Sequence, residues 1–194
     1  MFTYLAGYFE GGNMLNSLRA MSFARKEHKN QFRDGGDAYI IHPLGMACHA
    51  SDIGVRSDDV FAAILLHDVV EDCGVPLDGL PFNEKIKEIV RYVTIDKREG
   101  EEKSDTKKRY FRTMVYCPEA IIVKGLDRYN NLSTMITFTP ERITKNINET
   151  EELLLPLLKE AKDKYPEYRK IFYVLRDEIE ILLTIYKHYL PAQS

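Results

Sequence analysis

The chain has 194 residues, of which 44% are hydrophobic and 29% charged, and a formal net charge of -3. That length supports a single domain over residues 1–194 with a substantial core, and the slightly acidic balance argues against nonspecific nucleic-acid binding. No apolar run is long enough to span a bilayer, the first ten residues lack a basic n-region and long h-region, and three dispersed cysteines (Cys48, Cys73, Cys117) form no disulfide or zinc pattern. The expectation is a compact protein of the reducing cytoplasm, with its oligomeric state, a homo-oligomer included, left open.

The elements expected in chain order are all helical. Met14 offers an alternative start, so residues 1–13 read as a dispensable extension. Leu18, Met21 and Phe23 mark a first helix carrying His28, and Gly35-Gly36-Asp37 marks a turn. His42 directly precedes Pro43, which pushes it toward extended geometry and places it at the mouth of the next helix. Ser57 supplies an N-cap and Asp58-Asp59 an acidic first turn for a helix running to about Cys73. Asn83 opens another, with apolar positions 86, 89, 90 and 93 at helical spacing. Lys97 to Arg109 reads as a solvated mixed-charge loop whose lysines are within reach of a polyphosphate, leading into a helix from about Thr106 to Tyr116. Pro118 and Pro140 suit first-turn positions. Two long helices close the chain, about 140–163 and 166–189, the second with Ile171, Val174, Leu175, Ile179, Leu182 and Leu183 as its core stripe. No alternating strand and no internal repeat is present.

The chemistry concentrates in His67-Asp68-Val69-Val70-Glu71-Asp72, which follows the apolar run Phe61 to Leu66. On one continuous helix His67 and Glu71 would share a face, as would Asp68 and Asp72. Burying that much charge unpartnered would cost several kcal/mol, and a bound cation is the simplest remedy. Downstream, Ala120 to Val123 leads into Lys124-Gly125-Leu126-Asp127-Arg128-Tyr129-Asn130-Asn131-Leu132, where Asp127 and Asn131 would share a helical face. His42, His67, Asp68 and Asp127 then form a ligand set of two imidazoles and two carboxylates, suited to Mn²⁺, Fe²⁺ or Zn²⁺.

Three blocks together, Gln31-x-Arg33 with Tyr39-Ile-x-His42-Pro43-Leu44, Leu66-His67-Asp68-x-Val70-Glu71-Asp72, and Lys124-x-x-Asp127-Arg128-x-x-Asn131-Leu132, closely resemble the HD-superfamily phosphohydrolases. More narrowly, they resemble the hydrolase domain of Rel/SpoT proteins and the stand-alone small alarmone hydrolases. The likeness covers roughly residues 15–150, with residues 151–194 as C-terminal helices, and it implies an all-α HD-domain bundle. It further implies that His42, His67, Asp68 and Asp127 hold a metal, most often Mn²⁺, and that the substrate is a guanine nucleotide. Relatives remove pyrophosphate from the 3′ position of ppGpp and pppGpp, giving GDP or GTP. Glu71 and Asp72 would orient or deprotonate the attacking water, Glu71 first because it shares a face with His67. Arg33 matches the position that packs on the guanine ring and Asn131 one that helps hold the nucleotide. Lys124 and Arg128 stand as phosphate ligands or as structural partners. Because the chain ends before a synthetase domain would fit, it would degrade the alarmone without making it.

Departures from the family pattern bear on the substrate. Asp34 stands where many relatives carry lysine, removing a positive charge near the expected phosphates; Asn30, Ala38, Cys73 and Gly125-Leu126 also differ, none at a proposed ligand. Asp34 keeps alive a second reading, hydrolysis of another nucleotide such as the 2′-phosphate of NADPH or a nucleoside monophosphate. A third is a noncatalytic nucleotide-sensing module, for which the full ligand set with Glu71 and Asp72 has no chemical need. His28 is a candidate for a supporting role, and His49 matches no ligand position and reads as packing.

Overall fold

In the computed structural model, which describes residues 1–189, the described residues are helical with no strand beyond one isolated bridge between Phe32 and Ala38. The helices are α1 (Phe2–Gly11), α2 (Leu15–Glu27), α3 (Ile41–Ile53), α4 (Asp58–Leu66), α5 (Val69–Cys73), α6 (Glu84–Val93), α7 (Lys103–Met114), α8 (Pro118–Thr134), α9 (Pro140–Glu149), α10 (Leu155–Lys164) and α11 (Arg169–Tyr189). The expected domain's last residues, 190–194, lie outside those described. None of the described helices is long and apolar enough to cross a membrane.

Two helices form the centre. Every residue of α4 from Val60 to Leu66 is buried, as are Ala120 to Val123 and Leu126 on α8; a helix apolar on all sides belongs inside a bundle. Around α4 pack α2, α3 and α6, and around α8 pack α3, α10 and α11. Local signals explain the ends. Ser57 accepts a bond from the Val60 N–H and Asn83 one from the Ile86 N–H. Asp58 works at a distance: its carboxylate accepts the N–H groups of Asn16 and Ser17 at 2.9 and 2.8 Å and so caps α2, whose own start lacks a side-chain cap. Gly54 ends α3 in the left-handed region at φ 102°, where a β-carbon is strained.

Four expectations need correction. The segment from Ser57 to Cys73 is two helices, interrupted at His67 and Asp68. His67 Nδ1 donates at 2.9 Å to the Ile64 carbonyl, the acceptor that an uninterrupted helix would pledge to the Asp68 N–H. The helix after the charged loop begins at Lys103, three residues before Thr106, and Thr106 itself is buried. Between α9 and α10 the backbone widens into a π turn at Thr150–Leu154, just ahead of Pro156, which has no N–H and whose ring needs clearance from the carbonyl four residues back. Residues 1–13 are no loose extension: Leu5 and Phe9 are fully buried, and the Phe9 ring lies 5.2 Å from that of Phe61.

Candidate functional site

Four elements converge on one polar centre. His42 enters from the first turn of α3, His67 and Asp68 from the break between α4 and α5, and Asp127 from the middle of α8. His42, His67 and Asp127, all buried, each offer one ligand atom within 4.8 Å of the others. Asp68 stands beside them, its Oδ2 at 2.8 Å from His67 Nε2, while His42 Nε2 faces Asp127 Oδ1 at 3.3 Å.

The hydrogen bonds set the tautomers, and with them the chemistry. Asn130 Oδ1 accepts from Arg33 Nη1 at 3.0 Å and lies 2.7 Å from His42 Nδ1. As an oxygen it can only accept, so Nδ1 carries the proton and Nε2 turns its lone pair to the centre. His67 is arranged the same way, its Nδ1 spent on the Ile64 carbonyl. Its Nε2 is buried and makes no hydrogen bond of acceptable geometry, despite the nearby Asp68 oxygen. Two imidazole nitrogens thus face two carboxylates, an arrangement that calls for a proton or a cation between them. The donor set fits a divalent ion. The same field acts on protons: burial opposes the His67 imidazolium, yet Asp68 and Asp127 outweigh it and raise its pKa to about 9. Asp68 is lowered to about 2, His67 overcoming the cost of burial. Asp127 is held well below the usual carboxylate range, burial being outweighed by Lys124 and the two imidazoles.

The surrounding residues hold these groups in place. Asn131 donates to Asp127 Oδ1 at 2.6 Å and Lys124 to Oδ2 at 2.8 Å, so Lys124 partners a carboxylate of the centre. Asn131 Oδ1 also receives Arg33 Nη2 at 2.9 Å, and Thr134 a further Arg33 bond at 3.2 Å, so the arginine expected on the base lies tethered along α8. Arg128 is buried and bonded to Glu149 and Asn146, away from the cleft lining. Glu71 and Asp72 are exposed on α5, outside the lining of the main cleft. Because the helix breaks, the shared His67–Glu71 face of one helix does not exist, and the Glu71 carboxylate accepts the Ile95 N–H of the loop after α6. Partial burial raises the pKa of both acids, Asp68 adding to the effect.

Several contributors escaped the sequence reading. Tyr39 donates its hydroxyl to Asp68 Oδ2 and is stacked on His28, ring centroids 4.5 Å apart; burial and the carboxylates of Asp68, Asp72 and Asp127 push its phenol far up. Asn130 lies three residues from Asp127, a spacing that shares a helical face and was available as a signal. The centre opens into a cleft of about 950 Å³, whose other wall carries Lys107 of α7 with Arg142 and Lys145 of α9. Burial, then the neighbouring Lys145, Arg128 and Lys124, lower the Lys107 pKa. His49 packs as expected, its Nε2 2.9 Å from Glu178.

Comparison with known proteins agrees with this geometry. The chain matches the HD domain family model over residues 20–160. It is 33% identical over 159 residues to a probable GTP pyrophosphokinase of Mycobacterium leprae, 33% over 143 residues to a guanosine-3′,5′-bis(diphosphate) 3′-pyrophosphohydrolase of Aquifex aeolicus, and 30% over 146 residues to the bifunctional (p)ppGpp synthase/hydrolase SpoT of Escherichia coli. These alignments cover 77%, 72% and 72% of this chain but 20%, 20% and 21% of the relatives, so the chain spans about a fifth of their length. A solved structure described as a metazoan ortholog of SpoT that hydrolyzes ppGpp superposes with a TM-score of 0.70 over 87% of this chain and 94% of that one, at 20% identity, a likeness of fold. With two histidines and two aspartates gathered from α3, α8 and the α4–α5 break of an all-helical bundle, and with that match over 141 residues, the chain belongs to the HD domain family.

Proposed function

We propose that this protein is a metal-dependent hydrolase that removes pyrophosphate from the 3′ position of guanosine alarmones, taking ppGpp to GDP and pppGpp to GTP. The observation that carries the reading is the buried His42, His67 and Asp127 cluster with Asp68, at the floor of a cleft whose rim presents a tethered arginine and whose far wall is basic. The sequence relatives named as 3′-pyrophosphohydrolases support the substrate class. Mn²⁺ is the ion we assign, and the reducing cytoplasm the setting, in keeping with three free cysteines.

His42, His67, Asp68 and Asp127 would hold the ion, which when bound polarises a phosphoryl oxygen and acidifies water near it. The chain's own groups do the rest. Arg33, held by Asn130, Asn131 and Thr134, offers a planar cation for the guanine ring. Lys107 and Lys145 line the wall where phosphate charge would rest. Glu71 and Asp72, whose pKa values partial burial raises, are the candidates to accept the proton of the attacking water. Asn131 and Lys124 hold Asp127 in orientation, while Arg128 supports α8 through Glu149.

The test is pyrophosphate release from ppGpp by the purified, Mn²⁺-loaded protein, with Glu71→Gln alongside. Release that falls steeply in the variant supports the reading. No release from metal-loaded protein overturns the alarmone assignment and directs attention to other phosphorylated nucleotides.

A further inference from the structure

Asp34, read from sequence as a lost positive charge, is spoken for in the structure. Its carboxylate accepts Arg142 Nη1 at 2.6 Å, joining the loop between α2 and α3 to α9 across the cleft. Arg142 is also held from the side, its guanidinium 3.6 Å from the centre of the Phe138 ring. Both side chains of the pair are about half exposed, at 52% and 55%, and both line the cleft. An ion pair that open to solvent contributes little by itself. It nevertheless keeps an arginine extended, oriented and charged at the edge of a cavity.

Basic side chains outnumber acidic ones on the wall formed by α7 and α9, while the opposite side of the cleft carries Asp37, Asp68 and Asp127. Lys107, Arg128, Arg142 and Lys145 meet only two carboxylates, because Glu149 serves both Lys107 and Arg128 and Asp34 serves Arg142. Lys145 has no ion pair among the described residues and lies one helical turn from Arg142 on α9. A doubly charged phosphate, with three acceptor oxygens, would satisfy both better than one carboxylate does, and a guanidinium can bind it through two parallel N–H bonds. Arg33, next in sequence to Asp34, is tied to the Asn130 and Asn131 that brace the metal centre. A nucleotide with its base on Arg33 therefore has one phosphate end at the centre and the other free to approach Arg142.

We propose that Arg142 receives the phosphate group remote from the metal centre, and that Asp34 is an internal anion which this phosphate displaces. The inference rests on the reading of the cleft as a nucleotide site. Breaking the pair costs part of what the phosphate gains, so Asp34 lowers affinity for ligands that carry this phosphate and leaves an uncharged nucleoside unaffected.

The test is calorimetric binding of GDP and of guanosine to the Mn²⁺-loaded protein, in wild type, Asp34→Asn, Arg142→Gln and the double variant. Asp34→Asn is expected to tighten GDP binding by up to about fivefold, the upper end for an exposed ion pair. Arg142→Gln should weaken it by about tenfold, as for a lost charge-assisted bond, and should cancel the effect of Asp34→Asn in the double variant, with guanosine binding unchanged throughout. GDP binding indifferent to both substitutions, or guanosine shifting in parallel, overturns the exchange. Pyrophosphate release from ppGpp by wild type is read separately. Release with indifferent GDP binding overturns the exchange and leaves the proposed activity standing; shifted GDP binding without release supports the exchange and overturns the activity.

Discussion

Asn130 joins the two halves of the site through one atom. Its Oδ1 accepts His42 Nδ1 at 2.7 Å and Arg33 Nη1 at 3.0 Å, so a single amide oxygen sets the tautomer of a histidine of the proposed metal centre and the position of the cleft arginine. Asn130→Ala removes that acceptor. The His42 ring, with a side chain only 2% exposed, has little access to a replacement water and loses its fixed orientation. Partners of this kind typically contribute 10- to 100-fold in metal affinity, about 1.4–2.7 kcal/mol. Arg33 keeps its bonds to Asn131 and Thr134, so the Michaelis constant at saturating metal should rise less, by about threefold. Mn²⁺ titration by calorimetry and initial rates at saturating metal separate the two effects. Gly45→Ala supplies an independent perturbation, because a β-carbon there would stand 3.2 Å from Asn130 Nδ2 and press on the same amide. A folded Asn130→Ala protein with unchanged Mn²⁺ affinity would refute the coupling, and with it the tautomer argument for His42.

The remaining predictions test separate links. Tyr39→Phe leaves the ring stacked on His28 but frees Asp68 Oδ2, and is expected to weaken Mn²⁺ binding by about tenfold with little change in melting temperature; a large loss of stability with intact metal binding would make Tyr39 a packing residue only. Phe9→Ala empties a fully buried site and should cost about 3–5 kcal/mol, a fall of roughly 6–20 °C in melting temperature, whereas an unchanged melt would restore the view that residues 1–13 are dispensable. Arg128→Met strips Glu149 of its buried partner. Because Glu149 keeps Lys107, the expected cost is about 2 kcal/mol, below that of a fully buried pair, with the Michaelis constant nearly unchanged; a rise in that constant without loss of stability would make Arg128 a phosphate ligand. Saturating the centre with Mn²⁺ at 100 times its dissociation constant should stabilise the fold by about 2.7 kcal/mol, an effect that chelation reverses and that His67→Ala abolishes.

What the sequence disclosed and what it withheld divide along the range of the interactions. The helices opened by Ser57, Asn83, Pro118 and Pro140 were legible because their signals lie within four residues of the start. The ligand candidates were legible because they sit in short blocks beside apolar runs. The break at His67 and Asp68 was not, since neither glycine nor proline marks it; a side chain takes the helix's acceptor at Ile64, and the periodicity reads straight through. With α4 and α5 separated at His67 and Asp68, Glu71 no longer shares one helical face with His67.

The basic wall was illegible for the opposite reason. Lys107, Arg142 and Lys145 stand in stretches that read as solvated charge, and only the fold sets them opposite Arg33 and Asp34, the Asp34–Arg142 contact spanning 108 positions. Asp34 shows the limit of reading charge from a single position. Taken alone it subtracts a cation from the cleft; in place it pairs with Arg142 and holds that cation, from another helix, at the cleft edge. If the cleft binds a nucleotide as proposed, the charge its phosphates meet is set by this tertiary pairing, and a substitution that looks unfavourable in the α2–α3 loop has to be judged together with α9.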